Sequence, residues 1–167
     1  MIDSMDKIFI DSNIWLYRLL DDPIALMSEY ELDFYQWTQR QSAMLRSRQV
    51  EHLDWDHLAE ELESMGKRER RELSNRLGIL LAHLLKWRYQ PERRSASWQA
   101  TIAVQRQDIE ELLEDNPSLK SYLLEGFERG YRKGRLLAIA ETHLPPSTFP
   151  SEPPFTLQDA LETEFKP

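Results

Sequence analysis

The residue types best suited to chemistry are concentrated between residues 83 and 98. This stretch, named here the 83–98 corner, contains His83, Trp87, Gln90, Arg93, Arg94 and Trp98. Aromatic rings and guanidinium groups combine a large contact area with directed hydrogen bonds, so recognition surfaces are rich in them. We therefore predict a ligand- or partner-binding site at this corner. In the structural alternative, His83 is a half-buried core histidine, one arginine caps a helix end and the tryptophans anchor the core.

An anion is the second kind of ligand that the corner could bind. Arg93 and Arg94 directly precede a predicted helix start at Ser95, where free backbone N–H groups attract negative charge. They also end a basic block, because residues 67–94 carry nine Lys and Arg against three Glu. A nucleic-acid or phosphate binder is therefore an alternative function. The net charge of −8 argues against a general nucleic-acid coat.

A metal ion is the third ligand to consider, at His57, Glu60 and Glu61. A histidine with glutamates three and four residues later can share a metal on one helix face. A di-metal carboxylate bundle requires a second such pair, and the remaining histidines do not supply one. No P-loop, dinucleotide-binding glycine pattern or zinc-protease motif occurs. We expect no cofactor and no enzymatic activity, and a metal-dependent enzyme remains a further alternative.

The elements that position these residues are predicted to be helices. Apolar residues recur at steps of three and four in four segments: about 29–47, from Asp54 to the stop at Pro91, about 95–114, and about 118–141. Ser95 or Ser97 is expected to cap the third helix, and Thr156 with Asp159 is expected to form a capping box on a short terminal helix. The fold class is therefore all-α: an antiparallel bundle of four main helices with a short leader and a proline-rich C-terminal tail.

The long second helix carries the main apolar stripe of the predicted bundle. It consists of Leu58, Leu62, Met65, Leu73, Leu77, Leu80, Leu84 and Trp87. Gly66 interrupts the run, and we expect a kink there. In the fourth helix, Gly126, Gly130 and Gly134 share one face, which predicts a close approach of another helix backbone.

Composition limits the class of protein. The 167 residues include 41% hydrophobic and 30% charged residues and no cysteine. No apolar run is long enough to span a bilayer, and no signal peptide is recognised. Because cysteine is absent, disulfides are excluded, which fits a reducing compartment. We therefore expect a cytoplasmic protein that does not interact with membranes.

Most of the chain resembles the bacterial domain-of-unknown-function twenty-nine family, which is abundant in cyanobacteria. The resemblance covers about residues 29–167 and is carried by Tyr30-Glu-Leu-Asp-Phe-Tyr-Gln-Trp37, His57-Leu-Ala-Glu-Glu-Leu-Glu-Ser-Met-Gly66, His83-Leu-Leu-Lys-Trp87, Gln90-Pro-Glu-Arg-Arg-Ser95, Trp98, Thr148-Phe-Pro150 and Phe155-Thr-Leu157. It implies an all-helical fold. It implies no activity, substrate or catalytic residue.

The leader resembles a different family. Phe9-Ile-Asp-Ser-Asn-Ile-Trp-Leu-Tyr17 is similar to the first strand and helix of PIN-domain ribonucleases, which include toxins of toxin–antitoxin pairs. In that family the residue matching Asp11 ligates a divalent metal. The other carboxylates of such a site are missing, so Asp11 alone cannot perform the chemistry. We therefore interpret residues 1–27 as a PIN-like leader, from a fusion or a mis-assigned start, and residues 28–167 as one helical domain.

These observations favour a non-enzymatic protein-interaction or regulatory module that binds a protein partner. The resemblance of the leader to a toxin family suggests an antitoxin-like version of that role. The two alternatives are a nucleic-acid or phosphate binder at the Arg93/Arg94 corner, and a metal-dependent enzyme or PIN-type nuclease remnant. The oligomeric state is left open.

Overall fold

The computed structural model describes residues 27–162, so residues 1–26 of the PIN-like leader, including Asp11, lie outside the described residues. The chain divides into two compact units between Glu61 and Leu62. The described part contains six α-helices and no strand, which confirms the all-α class. They are α1 (Glu29–Leu32), α2 (Phe34–Ser47), α3 (Trp55–Tyr89), α4 (Ala96–Asp115), α5 (Leu123–Thr142) and α6 (Leu157–Leu161). Short 3-10 helices occupy Val50–His52, Pro91–Arg93, Pro117–Tyr122 and Pro146–Thr148.

The first unit corrects the prediction of a single helix over residues 29–47. Asp33 leaves the helical region of backbone space, with φ −148° and ψ 83°, and separates α1 from α2. Its carboxylate accepts a hydrogen bond from the backbone N–H of Gln36 at 2.9 Å, which caps the start of α2. Because the Asp33 side chain bonds to the backbone of the following turn, α1 ends and α2 begins at this residue.

The apolar stripe of α3 is buried only in its C-terminal part. Leu73, Leu77, Leu80 and Leu84 are fully buried, as predicted. Leu62 and Met65 are exposed, which corrects the prediction that the stripe is buried along its whole length. α3 is continuous through Gly66, from Trp55 to Tyr89.

In the second unit α3, α4 and α5 alternate in direction. Arg76 and Lys86 of α3 contact Asp108 and Trp98 of α4, so these two helices are antiparallel. Between α3 and α5, contacting residue numbers increase along both helices, from Leu77 with Gly126 to Lys86 with Glu141. Consecutive helices are therefore antiparallel, and α3 and α5 run in the same direction.

The glycine stripe on α5 allows the close approach that its spacing predicts. A Cβ atom added at Gly134 would lie 2.6 Å from the backbone oxygen of Gly78, and one at Gly130 would lie 2.9 Å from Leu77 Cβ. These helices therefore pack backbone to backbone, a distance at which no larger side chain fits.

The residues around α5 correct one boundary and confirm the proline-rich tail. Residues 117–122 form a 3-10 helix rather than the first turns of an α-helix. Two side chains of α5 bond to the tail that follows it. The Tyr131 hydroxyl donates to the Pro150 carbonyl at 2.7 Å, and Arg135 Nε donates to the Phe149 carbonyl at 2.9 Å. The side chains of Phe149 and Phe155 are buried, so the tail is part of the core of the second unit.

None of the helices within residues 27–162 is long and apolar enough to cross a membrane.

Candidate functional site

A buried ammonium group is the centre of the 83–98 corner. Lys86 is only 4% exposed, and its Nζ donates to Glu141 Oε2 at 2.5 Å. The same Nζ lies 3.2 Å from His83 Nε2 and 4.9 Å from the centre of the Trp98 ring. A buried charge is stable only when it is paired and hydrogen-bonded, and this one has an acid, an imidazole and an aromatic face around it.

The hydrogen bonds of His83 determine which of its nitrogens carries the proton. Its Nδ1 lies 2.9 Å from the Ile79 carbonyl, which can only accept, so Nδ1 carries the hydrogen. Its Nε2 then has a lone pair that accepts a hydrogen bond from Lys86 Nζ. Desolvation, together with the nearby Lys86 charge, lowers the pKa of His83 below its usual 6.5. The imidazole is therefore neutral, and both of its nitrogens are hydrogen-bonded within the chain. His83 is thus a half-buried core histidine rather than a group available for acid–base chemistry.

The remaining groups of the corner are separate from this cluster. Arg94 Nε donates to the Trp87 carbonyl at 2.9 Å, and its guanidinium lies 5.1 Å from the centre of the Trp87 ring. Gln90 is buried and donates through Nε2 to the Thr142 carbonyl at 3.4 Å. One arginine thus caps the end of α3, as the structural alternative predicts.

Arg93 is one of the exposed charged residues of the corner. Its side chain forms no hydrogen bond or ion pair with any residue between 27 and 162. The start of α4 beside it is already capped, because Ser95 Oγ accepts from the backbone N–H of Trp98 at 3.3 Å. An anion at this corner would therefore rely on one guanidinium and on the uncapped N–H groups of the first turn.

Sequence reasoning missed two members of the central cluster. Lys86 is three residues after His83 and follows two leucines. A lysine within such an apolar segment was the signal from which a buried charge could have been predicted. Glu141 is 55 residues away along the chain, and only the shared direction of α3 and α5 brings it to Lys86.

The first unit contains a second polar cluster, around His57. His57 Nδ1 lies 2.7 Å from Asp54 Oδ2, and that carboxylate oxygen also accepts from Trp37 Nε1 at 3.1 Å. Tyr30 stacks on the imidazole with ring centres 4.0 Å apart and donates its hydroxyl to Glu61 Oε1 at 2.6 Å. The cluster therefore ties α1 and α2 to the start of α3.

Two pKa shifts describe the charge state of this second cluster. Desolvation raises the pKa of Asp54, but hydrogen bonds from His57 and Trp37 outweigh it and leave the pKa below 3.8. The hydrogen bond to Glu61, aided by desolvation, raises the pKa of Tyr30 to about 12. At neutral pH the cluster therefore holds an ionised Asp54 and a protonated Tyr30.

The structure places the three metal candidates on the same helix, but two of them have other partners. His57 Nδ1 is bonded to Asp54 and Glu61 to Tyr30, while Glu60 is exposed. Within the described part of the chain, no three His, Asp or Glu side chains are grouped so that they could hold a metal ion. These contacts give both clusters a structural role.

Comparison with known proteins finds one family. The family described as "Domain of unknown function DUF29" matches residues 29–166. No curated protein and no solved structure matches the chain.

Proposed function

Since the chain belongs to the family described as "Domain of unknown function DUF29", we propose its function from its own surfaces: it is a non-enzymatic protein-interaction module of a regulatory kind. The partner surface is placed on the first unit, residues 27–61. In the 83–98 corner, where the sequence suggested partner binding, His83, Lys86 and Gln90 are engaged in internal contacts, which leaves fewer side chains for a partner.

The observation that supports the proposal is the concentration of exposed apolar side chains in the first unit. The 35 residues from 27 to 61 expose seven large ones: Met27, Leu32, Phe34, Tyr35, Leu45, Val50 and Trp55. The 101 residues from 62 to 162 expose five. Single exposed apolar residues are ordinary, but such a density is typical of interaction surfaces.

Two of these residues are of the types that dominate binding energy at interfaces. Tyr35 is 74% exposed and Trp55 is 60% exposed. Trp55 follows Asp54, which the cluster with Trp37 and His57 fixes in place. An aromatic side chain has only two rotatable side-chain bonds and loses little entropy on binding, so more of its contact energy contributes to affinity.

The charge of the first unit indicates the chemistry of the partner. Residues 27–61 carry eight acidic side chains (Glu29, Glu31, Asp33, Glu51, Asp54, Asp56, Glu60 and Glu61) and three basic ones (Arg40, Arg46 and Arg48). A protein partner with exposed basic and apolar residues is complementary to this surface, whereas a nucleic acid is repelled by it. An antitoxin-like role is a narrower version of the proposal, and its support is the resemblance of residues 7–20 to a toxin family.

Capture from the native host tests the proposal. The full chain carries an affinity tag, extracts are treated with nuclease, and recovered proteins are quantified by mass spectrometry. We expect one protein at near-equal molar amount for the wild type. The double substitution Tyr35→Ser/Trp55→Ser should reduce its recovery at least tenfold, because two interface anchors each contribute about 2 kcal/mol.

The matched control removes exposed apolar side chains from the second unit. Val104 and Leu124 are both more than half exposed, and Val104→Ser/Leu124→Ser should leave recovery unchanged. Equal recovery by all three proteins, or recovery that disappears with nuclease, would contradict the proposal.

A further inference from the structure

The second unit has a groove along α4, named here the α4 groove. It has a volume of about 730 Å³ and is bounded by α4 and the C-terminal helix α6. Ile109, Leu113 and Leu161 supply apolar lining, and Glu110, Glu114 and Glu162 supply carboxylates. A groove of this size that combines an apolar base with charged edges is typical of binding sites.

The charges of the α4 groove favour a basic occupant. Glu110 and Glu114 are one turn apart, both exposed, and neither forms an ion pair within residues 27–162. Of the two cations that line the groove, Arg106 is buried and donates to the Ala160 carbonyl at 2.9 Å. Lys120 is the other. The accessible carboxylates therefore outnumber the accessible cations.

The same unit carries a surface of opposite character, named here the basic face of α5. Arg129, Arg132 and Leu136 are spaced three and four residues apart, so they share one side of the helix. Leu136 is 64% exposed. Arg132 is exposed and has no ion-pair partner in the described chain, whereas Arg129 pairs with Glu125 at 3.0 Å, and the exposed Glu128 lies one turn before Arg132 at the edge of this face.

We propose that the occupant of the α4 groove is a second copy of this chain, inserted through the basic face of α5. Leu136 lies on the apolar lining, and Arg129 and Arg132 pair with Glu110 and Glu114. The dimensions agree: residues 129–136 of an α-helix cover about 10 Å, and the groove residues 103–114 cover about 16 Å. Both surfaces belong to the second unit, so this inference is independent of the function proposed for residues 27–61.

The geometry determines the type of assembly. The two surfaces are different, so the contact is heterologous, and each copy offers one groove and one face. Copies then add head to tail, forming a ring or an open chain. We expect the weight-average mass in sedimentation experiments to rise with concentration past twice the 19.9 kDa of one chain.

Charge reversal on each surface gives the decisive test. One variant carries Glu110→Lys and Glu114→Lys, and the other carries Arg129→Glu and Arg132→Glu. Each alone brings like charges together and should remain a monomer over a concentration range in which the wild type assembles. In an equimolar mixture each groove meets a face of opposite charge only on the other variant, so the two variants should add in strict alternation and restore the rise in mass that the wild type shows.

Several results would overturn the inference. A wild type that remains monomeric at the highest concentration would do so, and the groove would then be open to a basic segment of another protein. Variants that assemble as the wild type does, or a mixture that remains monomeric, would also do so. Leu136→Asp provides a separate check without charge reversal at the arginines, and it should weaken assembly at least tenfold while circular dichroism confirms unchanged helix content.

Discussion

At the scale of single residues, the 83–98 corner is formed by internal pairing. Six of its residues were recognisable from the sequence as candidates for recognition, because aromatic, cationic and amide side chains are concentrated in this short stretch. Their partners were not recognisable. Glu141, which neutralises Lys86, and the Ile79 carbonyl, which fixes the proton on His83, depend on the packing of helices and on one helix turn. From residue types alone, the 83–98 corner was predicted to be a binding site, whereas its contacts favour a structural role.

The environment of His83 predicts how stability depends on pH. Its pKa is lowered in the folded chain, so the unfolded chain binds a proton more readily as pH falls through 6.5. The folded state is fully favoured above this pH and loses stability below it. The lowered pKa of Asp54 contributes stability that is present above pH 3.8 and is lost as pH falls below that value, so its effect is lost in a separate, more acidic range.

We therefore expect the free energy of unfolding to fall between pH 7 and pH 5, and the substitution His83→Gln to remove part of this slope. Urea denaturation at a series of pH values, followed by circular dichroism, measures it. An identical slope for both proteins in this range would show that the environment of His83 has been misread.

At the scale of elements, local signals in the sequence predicted helix starts better than helix interruptions. Ser95 caps α4, and Thr156 with Asp159 forms a capping box on α6, as their spacing predicted. Asp33 was read as part of a helix because the apolar spacing continues on both sides of it. The choice between an interior aspartate and a cap depends on the backbone at that residue, which periodicity does not report.

The close approach of α3 and α5 predicts opposite effects for two glycines. Gly134→Ala places a Cβ atom against the backbone of Gly78, so one helix has to move, and we expect a loss of about 1–3 kcal/mol. Gly66 is also helical, but no atom lies within 4 Å of its added Cβ. Gly66→Ala should therefore stabilise the chain by about 1 kcal/mol.

Chemical denaturation of both variants beside the wild type measures these changes. Gly66→Ala serves as the control for the general effect of alanine on helix propensity. Equal shifts of the unfolding midpoint in the two variants would mean that backbone contact does not limit the residue at position 134.

At the scale of the whole molecule, helix content could be predicted and surface exposure could not. The spacing of leucines indicated an all-α chain with four long helices, and the structure contains them. The same spacing placed Leu62 and Met65 in the core, but they are exposed, because a stripe is buried only where a neighbouring helix covers it. The surface proposed for partner binding consists of apolar side chains that the structure leaves exposed, and the spacing of apolar residues alone did not identify them.

The most direct test of the proposed interaction surface is site-specific crosslinking in the native host. A photoreactive amino acid replaces Tyr35 in one version of the full chain and Leu124, exposed in the second unit, in another. We predict that one and the same protein is crosslinked in repeated experiments from position 35 and not from position 124. Crosslinking from position 124 alone, or no specific product from position 35, would contradict the assignment of the partner surface to residues 27–61.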